Sequence, residues 1–230
     1  MKEFKTISFE FNDGVGHIIL NQPPSNVMNL LFFRELSDLV EEIKGMTTLK
    51  ALVISGTGRH FSSGAQLDEL LSLVGNGESG GPGINNHKLQ NFLDRNYKTF
   101  LFFENLEIPV ISAIRGVCLG SALELALFSH FRFCGEDAVF GLPETTYHLI
   151  PGIGGLSRIS ALAGRAKALE LVLRGNTFPA EKALQYHIVD KILPKRMVVQ
   201  FAVSFARSIM PNYRKGKSIL YLKKITMINE

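Results

Sequence analysis

Two glutamates stand twenty positions apart, each in a glycine-rich frame: Arg115-Gly-Val-Cys-Leu-Gly-Ser-Ala-Leu-Glu124 and Phe140-Gly-Leu-Pro-Glu144. Paired carboxyl groups that converge on one water can share general acid–base work. Glycines beside them let the backbone come close to a ligand. A further glycine-rich run, Ile150-Pro-Gly-Ile-Gly-Gly155, follows the second glutamate. A third segment, Gly58-Arg-His-Phe-Ser-Ser-Gly-Ala65, follows a predicted strand, and Phe61–Ala65 is expected to open a helix whose amides form an anion-binding turn. The amides at the start of the helix carrying Glu124 would form another, suited to a developing oxyanion. A local reading competes with this. Ser121-Ala-Leu-Glu124 also fits a capping box, in which the glutamate bonds back to the cap. Pro143-Glu144 equally fits an ordinary helix start.

Other chemistry-bearing residues fit less well. Gly116-Val-Cys-Leu-Gly120 sits between a predicted strand and helix, as a nucleophile elbow would, with Cys118 as nucleophile. Asp137 and either His148 or His187 follow in a suitable order, but the HGGG-type oxyanion segment is missing. Gly75-Asn-Gly-Glu-Ser-Gly80 matches G-x-G-x-x-G but follows a helix, the wrong context for a nucleotide site. The histidines show no metal-ligand spacing, so no metal is expected. His148 follows Glu144 by four positions and is a candidate for the wall of the same pocket.

The elements that must position these groups follow from periodicity. Phe4–Phe11 alternates, Asn12-Asp13-Gly14 marks a turn and Val15–Leu20 alternates again, so the chain opens with a hairpin. Helical spacing covers Asn29–Met46, Gln66–Val74, His87–Glu104 and Ser121–Ser129. Strands are predicted at Leu49–Ser55, Pro109–Ile114, Phe131–Cys134 and Ala138–Phe140. Gly75–Asn86 reads as a mobile loop. From Gly155 onward the pattern is mostly helical, with one strand near Ile188–Leu193. The fold class is α/β with a helical C-terminal third.

Composition sets the frame. The 230 residues are 46% hydrophobic and 20% charged, as in a soluble globular protein. No apolar run is long enough for a membrane span. Met1-Lys-Glu-Phe-Lys5 leads straight into alternating residues, so a cytoplasmic location is expected, with Cys118 and Cys134 as reduced thiols. The net charge of +4 is mild. Its excess gathers near the C-terminus (Arg207, Arg214, Lys215, Lys217, Lys223, Lys224), as a solvated helix face or a site for an anionic ligand. No aromatic-and-basic signature accompanies it, so nucleic acid is not an expected partner.

Taken in order, these segments resemble the crotonase, or enoyl-CoA hydratase/isomerase, family. The likeness runs through Pro23-Pro-Ser-Asn26, Phe61–Ala65, Pro109–Gly120, Phe140–Glu144, Ile150–Gly155 and Ala180–Asp190. The resemblance implies a crotonase-like spiral of ββα units over residues 1–195 and a C-terminal helical segment, 196–230, shorter than is usual in the family. It implies an acyl thioester of CoA or of a carrier protein as substrate, with no cofactor beyond the CoA carried by the substrate. It implies hydration of a 2-enoyl thioester, with isomerase, decarboxylase or thioesterase activity, or a non-catalytic binding role, as alternatives. Glu124 and Glu144 match the catalytic acids, and the backbone N–H groups of Ala65 and Ser121 match the oxyanion hole. Gly152 matches a water-positioning residue, and Ser25, Asn26, Gln66 and Leu67 match segments that bind CoA. Ser121, Gln66 and Leu142 depart from a usual Gly, Asp and Gln, which suggests an altered substrate preference. The family also implies a trimer or hexamer. The apolar tail Ser218–Ile228 is expected to pack on a neighbouring subunit.

Overall fold

The structure, a computed structural model, describes residues 2–74 and 87–213. The predicted loop Gly75–Asn86, with its G-x-G-x-x-G run, and the tail Ser218–Ile228 lie outside the described residues.

The chain opens with β1 (Ile7–Asn12) and β2 (Val15–Leu20), an antiparallel pair. Asp13 and Gly14 both take positive φ between them, the geometry a two-residue hairpin turn requires. Helix α1 (Leu30–Lys44) starts where the Asn29 side chain accepts from the Phe32 N–H. Strand β3 (Ala51–Gly56), α2 (Leu67–Val74) and α3 (His87–Asn105) follow. Next come β4 (Val110–Ile114), β5 (Val117–Leu119), α4 (Ser121–Leu127), β6 (Phe131–Gly135) and β7 (Val139–Gly141). A 3-10 turn over Pro143–Tyr147 leads to α5 (Gly155–Ala163) and α6 (Arg165–Arg174). Then β8 (Phe178–Pro179), α7 (Ala180–Gln185), β9 (Lys191–Leu193) and α8 (Val198–Tyr213) complete the described chain.

These strands form two sheets. The larger has the order β1-β2-β3-β4-β6-β9, parallel from β2 onward. The smaller has the order β5-β7-β8. Ser62 extends it through a parallel bridge to Cys118. Successive turns of the chain thus give one strand to each sheet: β3 then Ser62, β4 then β5, β6 then β7. This is the expected ββα spiral. β5 and β8 escape prediction because two or three residues carry no readable alternation.

The central strands β3 and β4 are buried on both faces, as parallel strands covered on both sides should be. Leu52 and Ile54 of β3 join the main core with α1, α3 and α4. Ala51 and Val53 point the other way and pack with Ile111, Ala113 and Phe133 against Val198, Ala202 and Ala206 of α8. Phe131, Phe133, Phe201 and Phe205 stack edge-to-face in that second core. No described helix is long and apolar enough to cross a membrane.

Candidate active site

The smaller sheet and the elements that leave it build the site. Ser62 N–H donates to Val117 C=O, and Leu119 N–H donates to Ser62 C=O. Segments 62–65 and 117–121 therefore run side by side. Gly64 lets them close: a Cβ there would stand 2.4 Å from the Leu119 oxygen and 3.5 Å from the Ser121 nitrogen. Gly64 also takes φ +89°, which favours glycine. The ladder to Met28 uses the Gly64 C=O and the Gln66 N–H, leaving the Ala65 N–H outside that pairing. Ser121 is the first residue of α4, so its N–H is one of the helix's unpaired donors. Ala65 and Ser121 line one cavity of about 460 Å³, together with Glu124, Glu144 and Gly152.

Two local expectations change here. Ala65 does not open a helix. It lies in a β-bridge to Met28, and α2 begins at Leu67. Nor do Ser121 and Glu124 form a capping box. Gly120, which has no side chain to offer, stands at the N-cap of α4. Glu124 points instead to the turn before α5, where its Oε1 accepts from the Ile153 and Gly155 N–H groups, each at 2.9 Å. Tertiary donors outcompete the local cap because Glu124 is 1% exposed and must be satisfied by whatever is packed against it.

The two carboxyl groups sit in unlike surroundings. Glu124 is pushed up to about 7 by burial, against the opposing pull of its two N–H donors and of Arg158. Glu144 is pushed up to about 8 by burial and by the charge of Glu124. Its Oε2 is buried with no hydrogen-bond partner among the described residues. A Cβ on Gly120 would stand 3.1 Å from its Oε1, so the bare glycine lets this carboxyl lean over the start of α4. Burial raises both carboxyls, while the two backbone N–H donors favour the charged form of Glu124. Neighbouring carboxyls perturbed in this way in one cavity are candidates for acid–base chemistry.

The remaining candidates divide. Gly152 lies in the cavity wall, where a Cβ would meet Leu93 at 2.8 Å. Leu67 and His148 also line it. Ser25 and Gln66 stand beside the Ala65 segment: Ser63 N–H donates to Ser25 C=O, and Gln66 N–H to Met28 C=O. Asn26 is 1% exposed and bonds through its side chain to Gln22, Thr57, His60 and Phe61. It shapes this turn rather than presenting its amide to the cavity. Leu142 is buried in the core. Cys118 is fully buried in the main core, and desolvation drives its thiol well above the usual range, the reverse of an activated nucleophile. Asp137 pairs with Lys195. Sequence reasoning missed the opposite wall: Leu89, Phe92 and Leu93 of α3 and Leu70 of α2. The helical spacing of the α3 residues was the readable signal.

With this geometry in hand, similarity to known proteins decides the family. The sequence profile described as "Enoyl-CoA hydratase/isomerase" matches residues 10–227. The chain belongs to the enoyl-CoA hydratase/isomerase family. A relative named "Probable enoyl-CoA hydratase" from Bacillus subtilis (strain 168) is 34% identical over 184 residues, which is 80% of this chain and 67% of the relative. "Fatty acid oxidation complex subunit alpha" from Shewanella frigidimarina is 33% identical over 202 residues, 85% of this chain but 27% of that longer protein. The crystal structure of the enoyl-CoA hydratase from Bacillus anthracis superposes with a TM-score of 0.78 at 30% identity, covering 89% of this chain and 76% of that one. The crystal structure of the "putative enoyl-CoA hydratase from Streptomyces coelicolor A3(2)", 23% identical, shares the fold with a TM-score of 0.84 and covers 99% of this chain and 80% of that one. The enoyl-CoA hydratase/isomerase fold thus extends through the described C-terminal helix.

Proposed function

We infer that this protein is an enoyl-CoA hydratase-like enzyme that adds water across the C2=C3 bond of a 2-enoyl thioester, or removes it in reverse. The observation that carries this reading is the unequal pair: Glu124 held by two backbone donors, Glu144 with a buried, unpartnered Oε2. The thioester carbonyl accepts from the Ala65 and Ser121 N–H groups. Glu124, ionised, takes a proton from a water near Gly152, and the hydroxide oxygen bonds to C3. The C2=C3 electrons pass to the carbonyl oxygen as an enolate, which the two N–H donors stabilise. Protonated Glu144 gives its proton to C2 as the enolate collapses. The turnover leaves Glu124 protonated and Glu144 ionised, and a proton exchange through solvent resets the pair. CoA, or a carrier's phosphopantetheine arm, enters as part of the substrate along the Ser25–Asn26 and Gln66–Leu67 turns. The apolar wall of Leu70, Leu89, Phe92 and Leu93 suits a hydrocarbon acyl group.

The test is hydration of crotonyl-CoA, followed by loss of enoyl absorbance. Glu124→Gln and Glu144→Gln keep shape but remove proton transfer, and each is expected to lower kcat by at least about 100-fold. Near-normal turnover in both variants overturns the assignment. Isomerisation of a 3-enoyl thioester without hydration would place the chain elsewhere in the same family. EDTA is expected to leave the rate unchanged.

We also propose a homotrimer or a pair of trimers as the working assembly. Leu169 and Leu173, one turn apart on α6, are 40% and 73% exposed, a stripe suited to burial in a closed oligomer. A light-scattering mass of one subunit at micromolar concentration contradicts this.

A further inference from the structure

We propose that Arg158 is a positioning residue of this site: it braces the turn that clamps Glu124 and keeps the carboxyl pair's negative charge on Glu124. Its catalytic consequence rests on the hydratase reading above, but its structural basis does not.

Arg158 lies on α5, behind the cavity wall, with its side chain 12% exposed. Its guanidinium lies over the Phe128 ring at 3.3 Å from the centroid, with Tyr97 at 5.6 Å. Its Nη2 pairs with Glu104 of α3, and its Nη1 donates to the Gly154 C=O at 3.2 Å. That carbonyl belongs to the same peptide unit as the Gly155 N–H, which donates to Glu124. One rigid amide thus joins the guanidinium to the carboxylate, cation on its oxygen and anion on its hydrogen. A peptide polarised at both ends strengthens both bonds. It also cannot rotate to release Glu124 without breaking the Arg158 bond. The fit is close: a Cβ on Gly154 would stand 2.7 Å from Arg158 Nη1 and 3.3 Å from Phe128 Cζ.

The charged and titratable groups around Glu124 divide clearly. The charge of Glu124 raises Glu144 on the 3-10 turn. Arg158 on α5 favours the charged form of Glu124. Glu104 of α3 partly offsets Arg158, and Tyr97 of the same helix lies against the guanidinium. His148 stands in the cavity wall, and Cys118 of β5 is a buried neutral thiol. Removing Arg158 strips away the favourable charge and so shifts charge off Glu124.

The experiment compares Arg158→Met, Arg158→Gln and Arg158→Lys with the unaltered protein. The titration of Glu124 is read directly as infrared carboxyl difference spectra against Glu124→Gln, which needs no turnover. In the two uncharged variants the Glu124 midpoint is expected to rise by about one pH unit or more. The acidic limb of kcat/KM should rise with it, while KM at the optimum stays within about twofold because Arg158 lines no part of the cavity. Arg158→Lys, which keeps the charge, should move less than half as far. An unmoved midpoint in folded Arg158→Met, or an equal shift in Arg158→Lys, overturns the proposal. Should Arg158→Met not fold, Arg158→Gln carries the same test, since it can still donate to Gly154. Failure of both to fold would make Arg158 a stability residue and also overturn it. If the unaltered protein hydrates no enoyl thioester, the functional reading fails while the infrared titration still decides the role of Arg158.

Discussion

At the scale of single residues, the difference between Glu124 and Glu144 lies in their surroundings. Both are glutamates whose desolvated carboxyls are pushed above their ordinary value. One oxygen of Glu124 receives two backbone N–H bonds at 2.9 Å, whereas Glu144 keeps an oxygen with no described partner. If hydration needs Glu124 ionised and Glu144 protonated, the rate must rise as pH passes about 7 and fall as it passes about 8. A bell-shaped kcat/KM profile with its optimum between those values is expected, and its two limbs belong to the pair rather than to either residue alone. A flat profile from pH 5 to 9 contradicts the assignment of roles. Ser121 adds a hydroxyl beside its own N–H. Ser121→Gly is expected to retain the backbone donor and change kcat by less than about tenfold, a small loss beside those of the glutamate variants.

At the scale of elements, the turn Gly152–Gly155 matters most. A Cβ on Gly155 would stand 2.9 Å from Cγ of Glu124, so Gly155→Ala must displace the carboxyl it serves. That variant should lose activity by about tenfold or more while its Tm drops by only a few degrees, measurable by parallel assay and calorimetry. This turn also marks where the sequence stops being readable. Helices α1 and α3 are legible because their apolar stripes are long, and β3 and β4 because β-branched runs are bounded by turn residues. Glu124 and Glu144 are legible as candidates through their glycine frames. The clamp on Glu124 is not. Its donors are main-chain groups whose side chains carry no signal, and the local pattern Ser121-x-x-Glu124 points to a cap that tertiary packing overrides. Arg158 is equally silent, since one arginine on an amphipathic helix announces no partner. The α3 stripe reads as a helix face, and nothing in it tells that α2 and the 3-10 turn leave a cavity opposite it.

At the scale of the whole molecule, the buried carboxyls link the site to stability. Both have folded-state values raised above those of an unfolded chain. The folded protein therefore binds more protons than the unfolded one between about pH 4.5 and 8, and their stabilising contribution is lost as pH rises through that window. Thermal unfolding should show Tm falling from pH 5 to 8 more steeply in the unaltered protein than in the Glu124→Gln/Glu144→Gln double variant. Parallel slopes would contradict this. The second core, where α8 covers the back of the larger sheet, lies on the face away from the cavity. Ala202→Gly there should lower Tm without moving the pH optimum.

The bridge between Ser62 and Cys118 has a kinetic consequence. It brings together two stretches of chain far apart in sequence, and the paired N–H groups of Ala65 and Ser121 exist as a unit only once it has closed. Neither half of the pocket is encoded in a local turn that could form early by itself, and closures between distant segments are the slow steps of folding. Recovery of activity should therefore lag behind recovery of helical signal after dilution from denaturant, so the chemistry of the site serves as a clock for the closing of this long-range contact.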